Sequence, residues 1–233
     1  TGITGMVGLT GTYRLGKSYP EITADLIVNE TKISGKSLVL ERSKILLKDS
    51  KLIFDLALRE DTKTETVSLV GQVPLSPEKP IDLRVESHGD GLHFLDGLFS
   101  ERILWESGNV DLSLLIRGTL EDPKANGFLV LNDCDLVVET ELIKNLNATM
   151  VFDFNRLEIQ ELAADIGEEG KLSGNGSISL FSNEPLESEP LLVAVKNIKV
   201  NSSTFNVNLN SSLEIRGSLL SPIIGGEVEI KNG

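Results

Sequence analysis

The side chains that can do chemistry in this chain are few, and they do not converge. Its two histidines lie in one run, His88-Gly-Asp90-Gly-Leu-His93, and its single cysteine is distant, in Asn132-Asp-Cys-Asp135. A metal centre needs three or four convergent ligands, so the histidines read as surface or helix-cap residues. A Ser/His/Asp triad would have to recruit His88 or His93, and no Gly-x-Ser-x-Gly elbow accompanies them. Acidic neighbours raise the pKa of Cys134, which argues for an unreactive thiol. Gly167-Glu-Glu-Gly170 and Gly174-Asn-Gly176 look superficially like a phosphate loop. No helix pattern follows them, no Lys-Ser/Thr pair is correctly spaced, and carboxylates stand where an anion would sit. The remaining carboxylates are scattered over polar faces and specify no acid/base pair. Five Asn-x-Ser/Thr sequons, at Asn29, Asn147, Asn175, Asn201 and Asn210, follow from a composition rich in Asn and Ser. The expectation is a protein with no catalytic site, metal or cofactor.

The totals narrow the class further. At 233 residues the chain can form one large all-β domain or two small ones with a sizeable core. Apolar residues make up 40% and aromatics only 5%, so Leu, Ile and Val must line the interior. A net charge of −13 repels nucleic-acid phosphates and anionic lipid headgroups alike. One cysteine permits no internal disulfide. No apolar run is long enough for a membrane-spanning helix. The chain opens on Thr1-Gly2 and stops at Asn232-Gly233 after a strand-like run, so it is expected to be a fragment of a longer repeat array.

Period-2 alternation dominates from end to end and predicts many short strands with one wet face. Lys51–Arg59 places Leu52, Phe54, Leu56 and Leu58 on one side and Asp55 and Arg59 on the other. The same beat runs through Leu112, Leu114 and Ile116; Phe152 and Phe154; Ile178 and Leu180; and Val207 and Leu209. One segment departs from it. Leu92, Leu95, Leu98 and Phe99 fall at helical spacing after Asp90, predicting a short amphipathic helix near 91–100 that plugs one end of the sheet. Pro74–Pro80 and the acidic Ser182–Pro190 read as loops.

One stretch occurs twice. Arg117, Gly118, Leu120, Pro123 and Gly127 recur, at one constant spacing, as Arg216, Gly217, Leu219, Pro222 and Gly226. Pro20 with Leu26-Ile27-Val28-Asn29 repeats Pro123 with Leu129-Val130-Leu131-Asn132 more weakly. Two units of about 100 residues, 1–107 and 108–233, are therefore expected to form one continuous β structure. In each copy the Gly closes a strand, Pro withholds a ladder donor at the turn, and Arg pairs with nearby carboxylates on the polar face.

These residues carry a family resemblance. Trp105-Glu-Ser-Gly108, the Arg117-Gly-Thr-Leu-Glu-Asp-Pro123 stretch, Asn145-Leu-Asn-Ala-Thr, Arg156-Leu-Glu-Ile, Gly170-Lys-Leu-Ser-Gly174-Asn-Gly176 and Arg216-Gly-Ser-Leu resemble, in order over 100–233, the C-terminal domain of the TamB family. The phrasing is similar to the cyanobacterial and plastid branch, whose members act at the chloroplast envelope. The resemblance implies an inner-membrane-anchored protein crossing the periplasm or intermembrane space and working with an Omp85-type outer-membrane insertase. It implies, as for bridge-like lipid transfer proteins, phospholipid movement between membranes or assembly of outer-membrane proteins. It further implies an elongated antiparallel sheet curled lengthwise into a trough, a β-taco, with an apolar inner face.

The expected trough lining is Leu52, Phe54, Leu56, Leu112, Leu114, Ile116, Phe152, Phe154, Ile178, Leu180, Val207 and Leu209. Its expected occupants are phospholipid acyl chains or unfolded outer-membrane protein segments. The alternative is a structural β-solenoid or adhesin-like stalk with a dry core. A glycan-binding sandwich needs clustered exposed aromatics, and Trp105, Tyr13 and Tyr19 are too few.

Overall fold

The structure, a computed structural model, describes residues 3–15, 20–33, 35–94, 103–181, 190–201 and 206–232. Fourteen strands hold most of them. β1 to β7 are Ile3–Leu15, Pro20–Ile33, Lys36–Lys48, Lys51–Glu60, Val67–Pro74, Ile81–Ser87 and Ile103–Gly118. β8 to β14 are Pro123–Val138, Glu141–Phe154, Arg156–Ile166, Gly170–Ser179, Leu191–Asn201, Asn206–Ser218 and Ser221–Asn232. Among the described residues the strands follow chain order in one sheet that does not pair β14 back to β1. The ladders are antiparallel apart from parallel pairings of Ser179 with Ser218 and of Ser177 with Pro190. The all-β antiparallel expectation holds. Contacts divide the chain into two compact units, Thr1–Leu104 with Val110–Gly127, and Trp105–Asn109 with Phe128–Gly233. The division is interleaved through β7 and β8.

Strand ends follow local chemistry. Asp49 and Ser50 both take positive φ, 49° and 58°, in the two-residue turn between β3 and β4. That left-handed pair matches the twist of the strands it joins. The repeated stretch forms the same turn twice: Gly118 (φ 89°) ends β7 before Pro123 opens β8, and Gly217 (φ 83°) precedes Pro222 on β14. Pro20 likewise opens β2. The loop read at Pro74–Pro80 lies between β5 and β6. The expected helix near 91–100 is described only as far as Phe94, where Gly91–Phe94 form a tight turn; 95–100 lie outside the described residues.

Long strands rarely keep one side-chain phase, and here the phase changes at polar residues. In β3, Leu38 and Leu40 share a face with Ile45 and Leu47 because Glu41 is an extra residue opposite β4. β10 makes the same shift between Ile159 and Leu162. β9 does so at Asn145, and β12 between Val195 and Ile198 at Asn197. Asn145 and Asn197 adopt left-handed φ of 50° and 54°. Their N–H groups donate to Asp135 Oδ1 and Asn210 Oδ1, at 3.0 and 2.9 Å, in place of the ladder bond that the bulge removes.

Glycine makes the other local exception. Gly71, Gly127, Gly176 and Gly226 sit inside strands at φ of 143°, 145°, 121° and 138°. At each, a Cβ would run into a carbonyl oxygen of the neighbouring strand: Asp82, Ser113, Pro190 and Ser212 respectively. These residues are kinks at which two backbones approach too closely for any side chain. Gly127→Ala should therefore cost about 3 kcal/mol or more, measured as a lower urea midpoint. Gly225→Ala, where the added Cβ meets nothing within 4 Å, should shift the midpoint little.

Candidate functional site: the apolar sheet faces

In the first unit, register converts the alternating residues into rows that cross the strands. One row runs Ile22–Leu47–Leu52–Val73 and the next Ala24–Ile45–Phe54–Gly71–Leu83–Ile116. A third runs Ser43–Leu56–Leu69–Val85–Leu114, and a fourth Leu40–Leu58–Val67–Ser87–Leu112. The structure thus brings Leu52, Phe54, Leu56, Leu112, Leu114 and Ile116 onto one face. Apolar neighbours on opposed strands are the unit of sheet stabilisation. All six side chains are nevertheless only partly buried.

The second unit has its own rows. Phe152 pairs with Leu157, which pairs with Ile178. Ala148–Leu162–Gly174–Val193–Leu213–Gly226 crosses six strands, β9 to β14. Leu209 pairs with Ile198 and Ile230. Ile178 and Leu180 are buried, Phe152, Val207 and Leu209 are partly buried, and Ile224, Val228 and Ile230 on β14 are exposed. Phe154 departs from its expected place. It ends β9 at φ 56° and is 56% exposed, because the turn into β10 interrupts the alternation that would have aligned it with Phe152.

The opposite face of each unit carries ion pairs. Arg117 meets Asp82 at 3.5 Å, Arg42 meets Asp55 at 3.3 Å, and Arg216 pairs with Glu214. The repeated arginines therefore face carboxylates as expected. Lys171 and Asn145 both donate to Asp165, and these bonds, led by Lys171, hold its carboxyl below the usual carboxylate range.

None of the reactive side chains forms a reaction centre among the described residues. His88 is exposed, with Nδ1 2.9 Å from Asp111 Oδ1. His93 is buried, contrary to the surface or cap position expected, because the turn carrying it folds onto the sheet. Cys134 is fully buried, in a cluster with Leu146 and Ala164, against which Trp105 and Leu131 also pack. Gly108 leaves space for its sulfur, since a Cβ there would strike Cys134. Burial is the main cause that pushes the thiol pKa up; Asp133 and Asp135, the neighbours singled out in the sequence, add less. The Asn132 and Asn109 carbonyls pull the other way. Iodoacetamide at about pH 8 should leave native Cys134 unmodified and label it on addition of denaturant.

A further set of residues carries no periodic signal. Phe94 is buried against Ile33 and Leu38, with Leu58 and Val67 packed around it. Leu58 and Val67 belong to the fourth row, so Phe94 covers one end of the first unit's apolar face. Apolar phase in β3 and β4 marks the covered residues, but nothing in the sequence assigns Phe94 to them.

Among the described residues no helix is long and apolar enough to cross a membrane. No family model and no solved structure matches the chain. Two plant proteins do. Protein TIC236, chloroplastic, of Arabidopsis thaliana is 27% identical over 132 residues, 55% of this chain and 6% of its own length. Protein SUBSTANDARD STARCH GRAIN 4, chloroplastic, of Oryza sativa subsp. japonica is 26% identical over 139 residues, with the same shares. The chain is thus similar, over about half its length, to short stretches of two much longer chloroplast proteins.

Proposed function

We propose that this chain is a non-enzymatic segment of an envelope-spanning, TamB-like protein of the plastid branch, and that its apolar faces hold phospholipid acyl chains in transit between two membranes. The observation that carries this reading is the partial burial of continuous apolar rows. A closed core would exclude water from such residues, yet Leu52, Phe54, Leu56, Leu114 and Ile116 all remain partly accessible. If each forgoes about 0.5 kcal/mol relative to full burial, ten such residues forgo about 5 kcal/mol. That is comparable to the net stability of a small domain, roughly 5–15 kcal/mol. A mobile apolar occupant recovers this energy without making the sheet close. A stalk with a dry core would bury the same rows outright.

The chemistry of the rows favours an acyl chain over an unfolded protein strand. They present side-chain methyls and methylenes, and a strand laid on them would bury backbone N–H and C=O groups without partners. Acyl chains bring no such cost. The four kink glycines also support a curled face, since they remove side chains where the backbones converge. Two of them pair with residues of the apolar rows, Gly71 with Phe54 and Gly226 with Leu213, and Gly176 pairs with the buried Ile159. The ionic outer face keeps such a trough in water. In the whole protein the segment would stand in the intermembrane space, on the path to an Omp85-type insertase. The similarity to two chloroplast proteins supports that setting.

Purified protein should carry phospholipid detectable by native mass spectrometry. Leu56→Asp with Leu114→Asp places two carboxylates in the third row, and at about 2 kcal/mol or more each should lower the bound fraction more than tenfold. Circular dichroism should retain the strand signal. Phe154→Asp, at the exposed turn, should leave the lipid bound. Wild-type protein that stays lipid-free after incubation with phosphatidylcholine vesicles would sink the proposal.

A further inference from the structure

We infer that one rim of the second unit's sheet, the turns carrying Phe154, Phe181, Leu219 and Leu220, docks on a zwitterionic phospholipid surface and is the edge over which acyl chains reach the apolar face. The inference rests on the acyl-chain reading above and specifies where that face is loaded. Antiparallel strands turn alternately at two rims, and here the two rims differ in chemistry. At one, the tips are Phe154-Asn155 between β9 and β10, Leu180-Phe181 after β11, and Leu219-Leu220 between β13 and β14. Phe154, Phe181, Leu219 and Leu220 are 56%, 39%, 50% and 80% exposed. At the other, the described tips are Glu139-Thr140-Glu141 and Gly167-Glu168-Glu169, which hold no apolar side chain; 202–205 lie outside the described residues. Single exposed apolar residues are ordinary, but four gathered on successive turns of one rim mark a contact surface.

The backbone at these tips suits an apolar setting. The Leu180 amide donates to the Asn155 carbonyl at 2.7 Å and the Phe181 amide to Asn155 Oδ1 at 2.8 Å. The Leu219 amide donates to the Ser179 carbonyl at 2.9 Å. An amide carried unpaired into a lipid surface is costly, and these three are already answered. The same bonds tie the three turns into one surface. Beneath it Ser177, Ser179 and Ser218 are buried, so the outward side chains stand on a packed base. Charge selects the kind of surface. The tips themselves carry none, while 182–189 add Glu184, Glu187 and Glu189 and no basic residue, in a chain of net charge −13. Anionic headgroups repel such an edge; zwitterionic ones do not, and they leave the apolar side chains free to insert. The row just inside this rim is Phe152–Leu157–Ile178. An acyl chain leaving the bilayer at the tips meets the apolar face directly.

Wild type, Phe181→Ser with Leu220→Ser, and Glu168→Ser would each be sedimented with sucrose-loaded phosphatidylcholine vesicles, and their uptake of pyrene-labelled phosphatidylcholine followed by the fall in excimer emission. Wild type should sediment with these vesicles, and far less with vesicles rich in phosphatidylglycerol. The double variant should bind at least tenfold less, about the loss of one inserted side chain, and take up lipid more slowly. Its lipid content after long incubation, read by native mass spectrometry, should equal that of wild type. Both substituted side chains are exposed, so the strand signal in circular dichroism should persist. Glu168→Ser, on the opposite rim, should match wild type. A lipid-loaded wild type that fails to sediment with phosphatidylcholine, or a double variant equal to it in binding and uptake, would overturn the docking edge while leaving the acyl-chain reading intact. Sedimentation without uptake by any of the three proteins would overturn both the passage of acyl chains over this edge and the acyl-chain reading.

Discussion

Register is the constraint on which the rest of this structure depends. In a sheet with one apolar face, a slip of one residue between two strands turns every side chain of the slipped strand to the wrong side. In the first unit the apolar phase is kept through β2 to β7, and Leu47, Leu52 and Val73, or Leu69, Val85 and Leu114, meet as neighbours across successive strands. The bulges belong to this constraint. At Glu41, Asn145 and Asn197 an extra polar residue restores the phase that strands of this length would otherwise lose. The Asx side chains that receive the Asn145 and Asn197 amides keep the correction from leaving a donor unpaired.

Two further features answer to the same constraint. An apolar face that stays partly open is tolerable only if its reverse is well solvated, and the pairs Arg117–Asp82 and Arg42–Asp55 lie on that reverse side. Individually such exposed pairs contribute little stability. What discourages stacking of sheet on sheet is the net charge of −13 that remains beyond these neutral pairs, since a like-signed excess repels other copies. The kink glycines act from the apolar side. They bring adjacent backbones together where a side chain would hold them apart, and two of them, Gly127 and Gly226, occupy matching positions of the repeated stretch.

Much of this was legible in the sequence, and what was missed has identifiable causes. Alternation at Leu52–Leu58 and Leu112–Ile116 is a local property of the backbone and survives folding unchanged. Phe154 broke the rule because period 2 holds only inside a strand, and Asn155 turns the chain immediately after it. The phase shift in Arg156–Ile166 is written in its residues, since Leu157 and Ile159 give way to Leu162, Ala164 and Ile166. A strict two-residue template reads that as noise. His93 and Phe94 were opaque for another reason. Their burial depends on where a turn lands on strands that are distant in sequence, and no local pattern encodes the landing site. For Cys134 the direction of the shift followed from its acidic neighbours, but the dominant cause, burial beside Gly108, is a tertiary fact.

The aliphatic rows have a consequence for how such a chain changes over time. A row is an average: Leu, Ile or Val at any one position presents nearly the same greasy surface, and exchanges of similar volume cost little. Selection on the face therefore acts on its total character and hardly at all on the identity of a given member. The positions that cannot drift are the few where geometry forbids alternatives, such as the kink and turn glycines and the prolines that open strands. A chain governed this way keeps its architecture while losing most letters in common with its relatives. Identities of 27% and 26% over 55% of the chain are compatible with selection of that kind.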